Sequence, residues 1–507
     1  MKKEYRSERF GVVWLIMLFM ALANTFTAFA QVKQATVLVN GISCDLEQGI
    51  LKVEFVTPDV VRVQYTGENT FMGNGTDVCL PRAVDNLVRW VYTPNPDCYL
   101  LKSDSLIVRV DLSTASITYL DEEGGLLLQE DQNIPRISEK RVTKQVIYDE
   151  HSKHIEKTAD GDKEIKNVLR YDTIGHTWKY RINFKWQPLE ALYGWGSHME
   201  DYMNLRGKEL YLCQHNLKAM VSVLNSTAGY GLLFDAGCAM MFKDNSEGSF
   251  VELEAAKQID YYFMKGKTMD AVVANYRMLT GNSPMMPLYL FGYIQSKERY
   301  VSSDDLINTL KEYRQRQIPI DMIVQDWNYW PEGQWGNMSM NPKFYPDKRK
   351  LADEIHSLHA KLMISIWPNA MNCPQHEEFK RKGWLLSSTP VYDAFNPLAR
   401  KLYWNYANNE FFDNGFDAWW CDASEPLDAD WTFMKDGYGA DNHRQRWELN
   451  TNLLNSVLGA ERSQLYSLYH AKGIYENQRS TNEDKRVVNL TRSSYAGQQR
   501  YSTITWN

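Results

Sequence analysis

Residues 418–426 carry the most suggestive chemistry of the chain, with the sequence AWWCDASEP. An apolar run ends there on the carboxylate of Asp422, which a small residue and a turn follow. This ending is typical of a parallel strand that delivers an acid to the mouth of a barrel. Trp419 and Trp420 suggest a sugar, because aromatic faces pack on pyranose rings while a carboxylate attacks the anomeric carbon. The alternative is a buried strand that ends in a helix-capping aspartate.

Polar and aromatic residues also follow three other predicted strands. Residues 325–330 read QDWNYW, Trp367 follows the run 361–366, and Arg492 follows the run 487–490. The carboxyl ends of parallel strands meet at one rim, so these side chains are expected to lie together. A packed core would not concentrate acid, guanidinium and tryptophan at the same strand ends. The pattern therefore favours a pocket for a polar substrate.

The region from residue 31 to residue 268 is dominated by short alternating runs with turns between them. The clearest runs are residues 37–39, 51–56, 61–65 and 106–110. Each run is typical of a half-buried strand, and no helical pattern separates them. The region is therefore predicted to form a large antiparallel β-sandwich.

From residue 269 to residue 507, predicted helices alternate with apolar strands. Six strands are predicted, at residues 288–295, 320–325, 361–366, 418–421, 487–490 and 502–506. The alternation indicates βα units of a parallel sheet, and no Gly-rich phosphate-binding motif follows any of the strands. A closed (β/α)8 TIM barrel needs eight strands, so this barrel is expected to be incomplete at its C-terminus.

Residues 1–30 are typical of a secretory signal peptide. Basic residues come first, an apolar run follows, and residues 28–30 read AFA before Gln31. We expect cleavage before Gln31, an extracytoplasmic location (periplasmic or secreted), and no stable membrane insertion afterwards. The alternative is an uncleaved membrane anchor, although the apolar run is short for a span.

Charge and cysteine usage exclude several partners. The net charge of −7 leaves no basic stripe for nucleic acid. Seven scattered cysteines show no metal or redox spacing, so neither a metal nor another cofactor is expected. The oligomeric state and any disulfide pairing stay open.

Several spaced motifs resemble glycoside hydrolase family 31, whose members are mostly α-glucosidases and α-xylosidases. The barrel motifs are YLFGYIQSK at residues 289–297, DWNYW at 326–330, YDAFNP at 392–397, WCDASEP at 420–426 and RSSYAG at 492–497. YGWG at residues 193–196, with LRG at 205–207, resembles the family's N-terminal sandwich, which is galactose-mutarotase-like. The resemblance implies the β-sandwich, the TIM barrel and an oligosaccharide substrate.

The resemblance also assigns roles. It implies a retaining mechanism with Asp422 as nucleophile, and it places Arg492 in the subsite of the cleaved sugar. Glu425 is interpreted as a structural partner at the strand end, because it follows Asp422 on the same short loop. The substrate-binding residues that the resemblance implies are Asp326, Asn328, Trp367, Trp420, Arg492 and Trp506.

The general acid/base of the family is the aspartate of a Trp-x-Gly-Asp motif. Here the chain reads Trp506-Asn507. The aspartate would fall two residues beyond Asn507, so the 507-residue chain is expected to have little or no activity on natural glycosides.

Substrate preference depends on one departure from the family pattern. Many α-glucosidases of the family read Asp-x-Asp-Tyr where this chain has Asn328 after Trp327. With the neutral Asn328 in place of the charged aspartate, and with the bulky Trp327 before it, the site would disfavour the hydroxymethyl group that glucose carries and xylose lacks. This favours an α-xylosidase acting on terminal α-linked xylose, as in xyloglucan fragments. The alternatives are an α-glucosidase of the family and a catalytically silent sugar-binding protein.

Overall fold

The computed structural model describes residues 31–73, 78–81, 87–158, 161–427 and 443–506. The signal peptide expected at residues 1–30 lies outside these ranges. In the part of the chain that is described, no helix is both long enough and apolar enough to cross a membrane.

The N-terminal part is built of strands in the described ranges. In chain order they are β1 Val32–Val37, β2 Gly41–Leu46, β3 Ile50–Thr57, β4 Val60–Thr66, β5 Trp90–Pro94, β6 Cys98–Ser103, β7 Leu106–Asp111, β8 Ile117–Asp121, β9 Leu126–Glu130, β10 Arg136–Tyr148, β11 His154–Thr158, β12 Gly161–Ile165, β13 Val168–Lys185, β14 Leu192–Ser197, β15 Glu209–Leu212, β16 Ala219–Ser226, β17 Tyr230–Phe234, β18 Met240–Asn245, β19 Gly248–Ala256 and β20 Ile259–Lys265.

Apart from β11 and β12, which pair only with each other, these strands form two large antiparallel sheets, as the alternating runs predict. One sheet has the order β1-β2-β3-β4-β20-β17-β16-β14, and the other runs β15-β18-β19-β13-β9-β8-β7-β6-β5, with β10 paired to β13. In β7, Leu106, Val108 and Val110 are buried while the residues between them are half-buried. Alternate residues of a strand face opposite sides, so such patterns place one face of each sheet in a shared core.

The expected strand at residues 37–39 is wrong in position. Strand β1 ends at Val37, and the amide of Leu38 donates to the carbonyl of Gly41 at 2.8 Å, which closes a turn. Val39 is exposed. The apolar run is the turn of a hairpin, and turn geometry outweighs β propensity there.

The C-terminal part alternates helices with parallel strands. The helices in the described ranges are α1 Met269–Thr280, α2 Ser303–Gln315, α3 Lys348–Ser357, α4 Pro374–Lys382, α5 Pro397–Glu410, α6 His443–Leu458 and α7 Tyr466–Thr481. The strands are β21 Ile294–Gln295, β22 Met322–Gln325, β23 Lys361–Ile366, β24 Ala418–Cys421, β25 Asn489–Thr491 and β26 Thr503–Thr505. They pair in chain order, which makes a curled parallel sheet and an incomplete barrel.

Each barrel strand has an inner and an outer face. Inner residues such as Met322, Met363 and Ala418 form one apolar cluster. Outer residues such as Ile364 and Trp419 pack with the helices. Helix boundaries have local causes: the side chain of Ser302 caps α2, and Gly383 ends α4 with a left-handed φ of 66°.

The expected strand at residues 288–295 is mostly wrong. Leu288–Phe291 is a short 3₁₀ helix, and only Ile294–Gln295 pairs with β22. Leu288 and Phe291 are 85% and 75% exposed. Pro287 precedes the run and Gly292 ends it, so the backbone can turn where the apolar pattern predicts extension.

The sandwich supports the barrel mouth. The expected domain boundary after residue 268 falls between β20 and α1. The hydroxyl of Tyr495 donates to the carbonyl of Ala236 at 2.6 Å, and the side-chain amide of Gln214 donates to the carbonyl of Ser494. Because Ser494 follows closely after Arg492, these contacts hold the segment that carries the guanidinium.

Candidate active site

The register of the parallel sheet assembles the site. One row of paired residues crosses four neighbouring strands, through Ile366, Cys421, Thr491 and Thr505. The next residue of each strand reaches the rim, and these residues are Trp367, Asp422, Arg492 and Trp506. By two-residue alternation they share the inner face of the barrel.

Asp422 and Arg492 are in direct contact at this rim. The Nη1 atom of Arg492 lies 3.1 Å from Oδ1 of Asp422, whose side chain is 13% exposed. The backbone amide of Ala423 donates to the same Oδ1 at 2.9 Å. A nearby cation favours the charged form of a carboxyl group, so this arrangement suits the nucleophile role predicted for Asp422, which stays a prediction. Behind it, burial raises the pKa of the Cys421 thiol, and all seven cysteines lie in the described ranges as free thiols.

Glu425 pairs with Arg492 from the opposite side. Its Oε1 accepts from Nε of Arg492 at 2.7 Å, and its Oε2 lies 3.4 Å from Nη2. The Glu425 side chain is 4% exposed. Two carboxylates therefore share one guanidinium.

A buried hydroxyl cluster joins the two loops that carry these charges. The Ser424 hydroxyl lies 2.8 Å from that of Thr491 and 2.7 Å from that of Ser493. All three side chains are buried. Buried hydroxyls that satisfy one another fix the spacing of the backbones that carry them.

Asp326 lies at the same rim, directly after β22. Its carboxylate accepts from the backbone amide of Trp327 at 2.7 Å and from the hydroxyl of Ser365. Burial raises the pKa of Asp326 to about 7, and the charges of Asp422 and Glu298 act in the same direction. Near neutral pH, Asp326 can therefore donate or accept a hydrogen bond with a sugar hydroxyl.

Four indoles form a wall beside this acid. Ring centroids are 5.5 Å apart for Trp327 and Trp335, 5.6 Å for Trp330 and Trp335, and 5.4 Å for Trp335 and Trp367. Trp327 and Trp335 are half-buried, so part of each side chain is exposed to solvent. Asn328 is exposed next to this wall with φ 58°, a left-handed conformation that asparagine tolerates well.

Trp420, just below the rim, packs against Trp506 on the inner face of the barrel. Their ring centroids are 4.5 Å apart, and both pack on the apolar inner cluster. The structure thus brings six of the expected residues to the inner face of the barrel at or near its rim: Asp326, Trp367, Trp420, Asp422, Arg492 and Trp506. Asn328 lies at its outer margin, and the role of each residue in substrate binding stays a prediction.

Sequence reasoning missed Ser365, Glu298 and Trp335. Ser365 could have been found, because it stands two residues before Trp367 on the same face of β23, and the Trp367 indole donates to it at 3.0 Å. Glu298 and Trp335 lie on loops whose paths no periodic pattern predicts. Among the described residues, no group of three or more His, Cys, Asp or Glu could hold a metal ion.

The raised pKa of Asp326 predicts a pH-dependent stability. The folded state favours the protonated form of Asp326. Its stabilising contribution to the free energy of unfolding is therefore complete below pH 3.8 and is lost as the pH rises through about 7. We expect Asp326→Asn to melt like the wild type near pH 4 and roughly 2–5 °C higher at pH 8. Calorimetry at both pH values measures this difference. Asp353→Asn, on the exposed face of α3, is the control, and an equal change in both variants would contradict the interpretation.

Comparison with known proteins agrees with this architecture. Residues 283–507 match the family model "Glycosyl hydrolases family 31 TIM-barrel domain". The alpha-xylosidase of Saccharolobus solfataricus is 30% identical over 468 residues, which cover 90% of this chain and 57% of that protein. The chain thus spans little more than half the length of this relative.

Solved structures share the fold over nearly the whole chain. A GH31 dextranase of Flavobacterium johnsoniae, complexed with glucose, has a TM-score of 0.75 at 20% identity, covering 95% of this chain and 56% of that one. A GH31 alpha-xylosidase from a soil metagenome, complexed with xylose, has a TM-score of 0.72 at 23% identity, covering 94% and 67%. The barrel domain at residues 283–507 therefore belongs to glycoside hydrolase family 31, and the chain as a whole shares its two-part fold with these solved structures.

Proposed function

We propose that the protein is an exported, retaining α-glycosidase that removes terminal α-linked xylose from oligosaccharides such as xyloglucan fragments. The observation that carries the proposal is the contact of Asp422 with Arg492 at the rim of the barrel, beside Asp326 and a tryptophan wall. Export is supported by the sequence of residues 1–30 alone.

The proposed reaction begins with attack of the Asp422 carboxylate on the anomeric carbon. The bond from C1 to the leaving oxygen breaks as an acid protonates that oxygen, and water later hydrolyses the glycosyl ester. α-Glycosyl fluorides are the appropriate probe, because fluoride departs with its electron pair and needs no proton donor. Fluoride release then reports the formation of the ester on Asp422.

Xylose is proposed over glucose for two reasons. The alpha-xylosidase of Saccharolobus solfataricus is 30% identical to this chain. In addition, the rim carries Trp327 and the neutral Asn328 where many α-glucosidases have a second aspartate. An α-glucosidase is the second candidate, since Asn328 can still donate and accept hydrogen bonds with a sugar hydroxyl.

The xylose proposal predicts a measurable preference. We expect fluoride release from α-xylosyl fluoride to exceed that from α-glucosyl fluoride roughly tenfold or more in kcat/KM, because one hydroxymethyl group is typically worth about 1–3 kcal/mol in a pocket. Asn328→Asp restores a charged acceptor in the same left-handed conformation and should narrow the ratio. A fluoride electrode measures both rates.

Asn372→Asp provides a matched control for the Asn328 variant. Asn372 is also exposed on a rim loop and also has a positive φ, of 54°. Its substitution should leave the ratio unchanged. Equal rates on the two fluorides, or a preference for glucose, would defeat the xylose proposal while leaving the glycosidase proposal intact.

A further inference from the structure

Glu425 occupies a costly position for a residue whose only role is structural. It lies three residues beyond Asp422 with its carboxylate almost fully buried. A second carboxylate beside the first adds repulsion and a desolvation cost, and one guanidinium neutralises only one of the two charges. The chemistry of the site should therefore need this charge.

The geometry of Arg492 indicates what Glu425 does. The guanidinium is planar, with N–H groups in a fixed fork. Its Nε and Nη2 edge faces Glu425, so Nη1 is the atom that contacts Asp422, at 3.1 Å. The Nε–Nη2 fork of Arg492 is thus directed at Glu425, and the nearest approach of the guanidinium to Asp422 is made by Nη1.

A fork-to-fork pair would bind the Asp422 carboxylate more strongly. Bidentate guanidinium–carboxylate pairs combine two charge-assisted hydrogen bonds with a fixed geometry. A carboxylate held in this way is less basic and a weaker nucleophile. Any group that keeps the fork turned away from Asp422 therefore protects its reactivity.

We propose that Glu425 is a positioning residue that holds the guanidinium plane of Arg492, so that Arg492 stabilises the Asp422 nucleophile without clamping it. This inference deepens the proposed function and rests on it. The hydroxyl cluster of Ser424, Thr491 and Ser493 supports the arrangement, because Ser424 precedes Glu425 and Ser493 follows Arg492. In the described ranges, Arg492 after β25 contacts Asp422, the charge of Asp422 acts on Asp326 after β22, and Glu425 on the loop of Asp422 reaches the same guanidinium.

The test compares Glu425→Gln and Glu425→Asp in the 507-residue chain. Glutamine keeps the size and an acceptor oxygen but loses the charge, while aspartate keeps the charge on a shorter stem. With α-xylosyl fluoride, we expect Glu425→Gln to lose roughly 10–100-fold in the rate of fluoride release. The acidic limb of its pH profile of fluoride release should move to lower pH by roughly one unit. The reason is that removing a negative neighbour lowers the pKa of the Asp422 carboxyl group. Glu425→Asp should keep the acidic limb of the wild-type pH profile. The Kd of xylose should change little in either variant.

Glu252→Gln is the matched control. Glu252, in β19 of the sandwich, accepts from Nε and Nη2 of Arg181 at 3.0 and 2.8 Å and is also buried. Its substitution should leave both the rate and the pH profile unchanged.

The outcomes separate the inference from the proposed function. A wild-type rate and pH profile in Glu425→Gln would overturn the positioning role. Equal losses of rate in the Gln and Asp variants, in proportion to a fall in their Tm, would also overturn it. Absence of fluoride release from the wild type, together with no sugar ester on Asp422, would overturn the proposed function and the inference with it.

Discussion

Asp422→Asn is expected to reduce fluoride release from α-xylosyl fluoride by roughly 10³-fold or more. The amide has nearly the same shape as the carboxylate but cannot form the glycosyl ester. The variant should still bind xylose, because the indoles and Asp326 are unchanged. The rate of the first turnover of fluoride release and calorimetric titration with xylose measure the two quantities.

Asp413→Asn is the control for this substitution. Asp413 is exposed in the turn before β24 and accepts from the side-chain amide of Asn408 at 2.9 Å. It should retain wild-type rates. Substantial fluoride release by Asp422→Asn would show that another group attacks the anomeric carbon.

Arg492→Leu should have the second largest effect, a loss of roughly 10²–10³-fold in kcat/KM. The substitution leaves Asp422 beside Glu425 without the shared cation, so the pKa of the nucleophile rises. The loss should therefore be greatest at low pH and smaller as the pH rises. A pH profile of fluoride release, with Tm recorded at each pH, measures this dependence.

Arg492→Lys separates charge from geometry. Lysine keeps a cation but lacks the planar fork that reaches both carboxylates. We expect Arg492→Lys to restore most of the acidic limb of the pH profile, and only part of the rate of fluoride release. An Arg492→Leu enzyme with a wild-type pH profile would contradict the electrostatic role of the guanidinium.

The rim residues could be predicted from the sequence because strand periodicity fixes them. The bounds of β23 and β24 match the expected runs at residues 361–366 and 418–421. Parallel pairing then brings together the side chains that follow each run. The same reasoning failed for β21, because the apolar run near Leu288 is exposed at the edge of the sheet.

The pairing of Glu425 with Arg492 could not be predicted, because it depends on a local backbone turn. Ala423 adopts a φ of 52°, which is unfavourable for alanine by roughly 1–2 kcal/mol. The surrounding hydrogen bonds of Ser424 hold this conformation and direct the loop back to the guanidinium. No spacing rule reports such a turn, and the same holds for the loop that carries Trp335.

The central claim is that Asp422 becomes covalently bonded to the sugar. A ring-fluorinated α-xylosyl fluoride forms a slowly hydrolysed glycosyl ester, so the labelled residue can be identified by peptide mass spectrometry after proteolysis. We predict one xylosyl adduct, on the peptide that contains Asp422, and none in Asp422→Asn. An adduct on Glu425 or Asp326, or fluoride release without any adduct on Asp422, would contradict the account.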